Sequence, residues 1–191
     1  MEYSKSMFWW IVAGMVSWMV LICWWVGDDM AVRGFIHNVT TKPLTAMMGV
    51  SSCIGGCSIS KWPWITTVCS LWTMMSSLNA LACGFCGLSY SMLGDQGIIL
   101  TPNIGIPSHA TLLSFVLIAI TQFGLAQDHK ANALPGYLLL VIASSCLLGI
   151  VLGIPFLQFY WEGWSAAMAL PTMVITTASG IAIIHQESRN E

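Results

Sequence analysis

Long uncharged apolar stretches recur along this chain, separated by short polar or proline-marked breaks. A helix needs about 20 apolar residues to cross the hydrocarbon of a bilayer with every backbone polar group bonded internally. Five stretches meet that need: 7–26, which stops abruptly at Gly27-Asp28-Asp29; 64–90, which follows Lys61-Trp62-Pro63; 109–127, between Pro107-Ser108 and Asp128-His129-Lys130; 134–159, with Pro135 at its start; and 164–184. Pro171 lies inside the last stretch, where it predicts a kink, because proline removes a backbone donor and crowds the preceding turn. Segment 43–60, PLTAMMGVSSCIGGCSIS, is uncharged and rich in Gly and Ser. It fits a sixth span, a re-entrant loop or an ordered extramembrane stretch. The pattern predicts an all-α, polytopic membrane helical bundle in a single domain over 1–191. It has five transmembrane helices, a possible sixth at 43–60 and no soluble domain.

Composition points the same way. Of 191 residues, 57% are hydrophobic and 7% charged, against about 25% charged in an ordinary soluble domain. A surface so poor in charge is tolerated by lipid and not by water. Six Lys and Arg and a net charge of −2 cannot neutralise a run of phosphates, so nucleic acid is not an expected partner. The apolar segment after Met1-Glu2-Tyr3-Ser4-Lys5 lacks a small-residue cleavage site and reads as a retained anchor. Trp9, Trp10, Trp24, Trp25, Trp62, Trp64, Trp161 and Trp164 fall near the predicted span ends, where indole favours the headgroup layer.

The distribution of Lys and Arg orients the chain, since cytoplasmic loops carry the excess. With five spans, an outside N-terminus puts Arg33, Lys42, Lys61, Lys130 and Arg189 in the cytoplasm and Lys5 opposite. With six, an inside N-terminus puts Lys5, Lys61, Lys130 and Arg189 inside and Arg33 and Lys42 outside. Both place the C-terminus in the cytoplasm and the apolar segment 94–108 on the other side. The Asn38-Val39-Thr40 sequon faces the lumenal side only in the six-span arrangement.

In lipid, helices associate through small residues that let backbones approach. Ser76, Ala80 and Gly84 recur every fourth residue on one stretch, and Ser145, Gly149 and Gly153 on another. Each ridge is a candidate for helix packing, within the chain or against a second subunit. No charged residue interrupts any span, whereas ion-coupled carriers usually hold one inside the membrane. The intramembrane polar groups are Asn79, Gln122, Thr176 and Thr177, which serve either as single interhelical hydrogen bonds or as the lining of a solute path.

Seven cysteines and twelve methionines invite a redox or soft-metal reading. Inert packing is the plainest account of them. Cys83 and Cys86 form a C-x-x-C, and Cys53 and Cys57 lie four apart; either could be a thiol–disulfide couple, though no basic residue activates the former pair. Met47, Met48, Cys53 and Cys57 are a weaker Cu(I) set, so no metal and no cofactor is expected. His109 and His185 sit at opposite sides of the membrane and cannot share a haem. No G-x-S-x-G, H-E-x-x-H or phosphate loop occurs.

The leading expectation is a non-enzymatic integral membrane subunit that packs with copies of itself or with other membrane proteins in the lipid bilayer. A permease or channel component for a neutral or weakly charged small solute comes second, and a membrane thiol–disulfide oxidoreductase using Cys83 and Cys86 third.

Overall fold

A computed structural model describes residues 2–27, 41–85, 107–127, 132–158 and 168–187. Among them are six α-helices: α1 (Glu2–Val26), α2 (Pro43–Ser58), α3 (Pro63–Phe85), α4 (His109–Ala126), α5 (Leu134–Leu152) and α6 (Leu170–Glu187), with a 3₁₀ turn at Pro155–Gln158 after α5. Three stretches are long and apolar enough to cross a membrane: Lys5–Val26, His109–Ala126 and Leu134–Leu152. The expectation of five spans goes beyond this count.

Local chemistry sets the helix ends. Pro43 and Pro135 occupy first turns, where no backbone donor is needed. Ser108 caps α4, its hydroxyl oxygen accepting from the Thr111 N–H at 3.2 Å. Two expected boundaries need correction. The stretch 134–159 is not one helix: Gly153 adopts φ 65 and ends α5, and the Ile154 N–H returns to the Gly149 carbonyl at 2.9 Å. That left-handed cap turns the chain just before Pro155, which could not have continued the helix. Pro171 makes no kink, because α6 starts at Leu170 and the proline falls in its first turn. The segment whose role the sequence left open is the helix α2.

The six helices close a ring in chain order and alternate in direction. Trp10, Gly14 and Ser17 of α1 meet Gly56, Cys53 and Gly49 of α2 in descending order. Thr66 donates to the Gly55 carbonyl at 2.8 Å and Ser51 to the Cys69 carbonyl at 3.2 Å, so α2 and α3 are also antiparallel. The C-cap Gln127 of α4 reaches Thr67 at the start of α3. Ala110 of α4 packs with Cys146 of α5, and Gly136 of α5 lies on Gly180 of α6. Ser6 donates to the Ala182 carbonyl at 3.0 Å, bringing the start of α1 to the end of α6. At the opposite end, Trp24 Nε1 donates to the Thr41 carbonyl at 2.6 Å, and Thr41 pairs with Thr172 at 3.4 Å. Helices α2, α4 and α6 touch one another, while α1, α3 and α5 each lie outside, between two of them.

The outer helices are turned inside out relative to a protein in water. Along α3 the buried stripe is Thr66, Ser70, Thr73, Ser77 and Ala80, whereas Trp64, Val68, Leu71, Trp72, Met75 and Leu78 are exposed. Along α1, Ser6, Gly14 and Ser17 face inward beside Trp10, and Phe8, Met15, Trp18, Met19 and Ile22 face outward. Water would penalise so continuous an apolar surface; hydrocarbon does not. Among the described residues α2, α3 and α6 fall short of the length or apolarity of a candidate span. Enclosed by neighbours, α2 and α6 have little surface to offer lipid, and their buried faces hold Thr45, Ser52, Thr172, Thr176 and Ser179.

Candidate functional site

Buried hydroxyls in an apolar surround need partners, and helices provide the nearest ones. Ser17, Ser70, Ser77 and Ser114 each donate to the carbonyl four residues back, at 2.6–2.8 Å. These groups are satisfied and ask for nothing more.

A second set is different. Ser52 Oγ, Thr73 Oγ1, Gln122 Oε1, Thr176 Oγ1 and Ser179 Oγ are buried without a hydrogen-bond partner among the described residues. All five residues have essentially no accessible surface. They come from α2, α3, α4 and α6. Read through the antiparallel pairings above, they form a polar layer in the middle part of the bundle. Gln122 anchors it. Its Nε2 donates to the Ser52 carbonyl at 2.7 Å, which fixes the amide and leaves Oε1 as an acceptor. Gly55 makes room for it, because a Cβ there would stand 3.0 Å from Oε1 and 3.2 Å from Cys69 Cβ.

The layer carries no formal charge. No Asp, Glu, Lys or Arg is buried among the described residues. What it presents are hydroxyls, which donate and accept, and one amide oxygen, which accepts. Such a set offers hydrogen-bonding groups and no formal charge.

The residues singled out from sequence are dispersed. Gln122 and Thr176 lie in the layer, Thr177 is half-buried beside it, and Asn79 is exposed on the outward side of α3. Ala80 is in the main core and Ser76 half-buried. Gly84 and Cys83 fall in the last turn of α3, where side chains are not described, and Cys86 lies outside the described residues. Ser145 donates to the Leu157 carbonyl at 3.3 Å, within its own chain. Gly149 is buried. Gly153 caps α5, and nothing in this chain lies within 4 Å of the space a Cβ would fill. Met47 is exposed while Met48 is buried and accepts from Ser77 Oγ at 3.1 Å, so the soft set with Cys53 and Cys57 is not gathered in one place. Among the described residues, no group of three or more His, Cys, Asp or Glu could hold a metal. His109 opens α4 and His185 lies in the last turn of α6, at opposite ends of the bundle.

Sequence reading missed Ser52, Thr73 and Ser179. One signal was available for Thr73: the 4-3-4 spacing of Thr66, Ser70, Thr73 and Ser77 marks an internal polar stripe. Ser52 and Ser179 are ordinary small residues until the packing encloses them.

No protein-family model, curated protein or solved structure matches this chain.

Proposed function

We propose that this chain is a multi-pass membrane protein whose six helices all cross the bilayer and whose inner helices admit a small, uncharged, hydrogen-bonding solute. The observation that carries the proposal is the set of five buried, unpaired oxygens on α2, α3, α4 and α6. Polar groups inside a membrane bundle are costly to leave unpaired, and a cluster of them marks a place where a polar guest is welcome. The absence of charge from the layer favours a neutral guest over an ion.

A subunit that packs with copies of itself or with other membrane proteins is the alternative proposal. The tightest small-residue approaches among the described residues, at Gly14, Gly49, Gly56, Gly136 and Gly180, join helices of the same chain.

Reconstituted vesicles test the proposal. Stopped-flow swelling with glycerol and urea is expected to run faster than in protein-free vesicles, with no matching flux of Na⁺ or K⁺. Gln122→Leu and Thr176→Val are each expected to slow the favoured solute about tenfold, the factor that one lost hydrogen bond supplies. If neither solute moves faster than through bare lipid and a second membrane protein leaves the bilayer with the chain, the subunit reading takes its place.

A further inference from the structure

We infer that Cys53 and Cys57 form a dithiol that chelates a soft thiophile, divalent mercury or a trivalent arsenical, as a neutral bis-thiolate. The inference stands apart from the polar layer and survives its failure.

Residues four apart lie one above the other on a helix face, and Cys53 and Cys57 both fall within α2. Neither is in a disulfide, and both are half-buried. The face they share is the seam with α1. There Gly14 presents bare backbone: a Cβ at that position would stand 2.3 Å from Cys53 Sγ. Cys57 packs beside the core that includes Trp10. The two sulfurs are therefore adjacent, held by helix geometry, and set among apolar groups.

Charge selects the ligand. A soft divalent cation M²⁺ reacts with two thiols to give M(SR)₂ and 2 H⁺, forming two metal–sulfur bonds and no net charge. A neutral complex avoids the penalty of burying an ion. A monovalent cation would leave a negative centre, and hard cations favour oxygen ligands over thiolates. A monosubstituted arsenical behaves alike: R–As=O and two thiols give R–As(SR)₂ and water, with arsenic trivalent throughout. Neither reaction needs an oxidant.

The probes are phenylarsine oxide and mercuric chloride, applied to the full chain in lipid nanodiscs and read by intact mass. Cys83→Ser/Cys86→Ser serves as the background, to remove the other closely spaced pair. There, one phenylarsenic adduct is expected, resistant to a monothiol and reversed by 2,3-dimercaptopropanol. Cys53→Ser and Cys57→Ser are each expected to abolish that resistant adduct, lowering apparent affinity at least 100-fold, since a single thiol cannot chelate. Cys53→Ala and Cys57→Ala repeat the test without a new hydroxyl. Mercury is expected to bind with release of two protons per site. A resistant adduct that persists in either single variant overturns the inference, as does one that maps to Cys23, Cys69 or Cys146.

Discussion

Gly56→Ala is expected to destabilise the folded bundle by about 1–3 kcal/mol or more, the range for forcing a methyl into a close-packed core. A Cβ at Gly56 would lie 2.2–2.5 Å from three ring atoms of Trp10, and Trp10 is fully buried, so the indole has nowhere to swing. Gly136→Ala is expected to cost at least as much. Its methyl would meet the Gly180 carbonyl oxygen at 2.7 Å, and backbone cannot change rotamer; α5 and α6 must move apart. Gly49→Ala meets Ser17 Oγ, a hydroxyl that can turn, although its bond to the Ala13 carbonyl is then lost. That variant is expected to be the mildest of the three. Unfolding by stepwise replacement of mild detergent with dodecyl sulfate gives the order. A double-mutant cycle of Gly56→Ala with Trp10→Phe isolates the contact, because the smaller ring relieves the clash and makes the two costs non-additive. Equal, negligible losses at all three glycines would mean that the seams are looser than these distances require.

These contacts also mark how far the sequence could be read. Lys5–Val26, His109–Ala126 and Leu134–Leu152 were legible because each is apolar along its whole length, and that is a property of one segment. Helix α2 was ambiguous because an enclosed helix need only satisfy its neighbours. Its Gly49, Cys53 and Gly56 make sense once Ser17, Gly14 and Trp10 are seen opposite, and no single-segment pattern contains that pairing. Gly153 shows the converse: a glycine every fourth residue looks the same whether it packs against a helix or caps one, and φ 65 shows that it caps α5. Pro171 was placed mid-helix because the apolar run 164–184 continues through it. Hydropathy does not record where backbone hydrogen bonds begin. Gln122 and Thr176 were legible as polar residues in apolar runs, but Asn79 was equally so and points outward. Which polar residues meet is a matter of helix rotation, and an apolar stripe as weak as those here leaves rotation open.

The largest expected effect is one of sidedness, and it is all-or-none. Lys42 and Lys61 flank α2, and the five-span and six-span arrangements place them differently: on one side of the membrane if α2 does not cross, on opposite sides if it does. Helices α1 and α3 both run antiparallel to α2 and so parallel to each other. Consecutive spans joined by an extramembrane loop are antiparallel, so on the proposal that α1 and α3 both span, α2 is expected to cross between them. At 16 residues, α2 is about 24 Å long, short of the roughly 30 Å hydrocarbon core. The deficit is tolerable because its ends are enclosed, with the Thr41 carbonyl held by Trp24 and the Trp62 N–H returned to the Ser58 carbonyl at 2.8 Å. Lys42→Cys and Lys61→Cys, each treated in sealed cells with a membrane-impermeant mass-tagged maleimide, are expected to react from opposite sides. The tag should reach position 42 from outside and position 61 only after the membrane is opened, with the unaltered chain giving the background of its own cysteines. Reporter fusions at the two termini are expected to agree that both lie in the cytoplasm, the side given Lys5, Lys61, Lys130 and Arg189 against Arg33 and Lys42 opposite. Labelling of both positions from one side would leave α2 as a re-entrant hairpin arm. The antiparallel ring would then have to be abandoned.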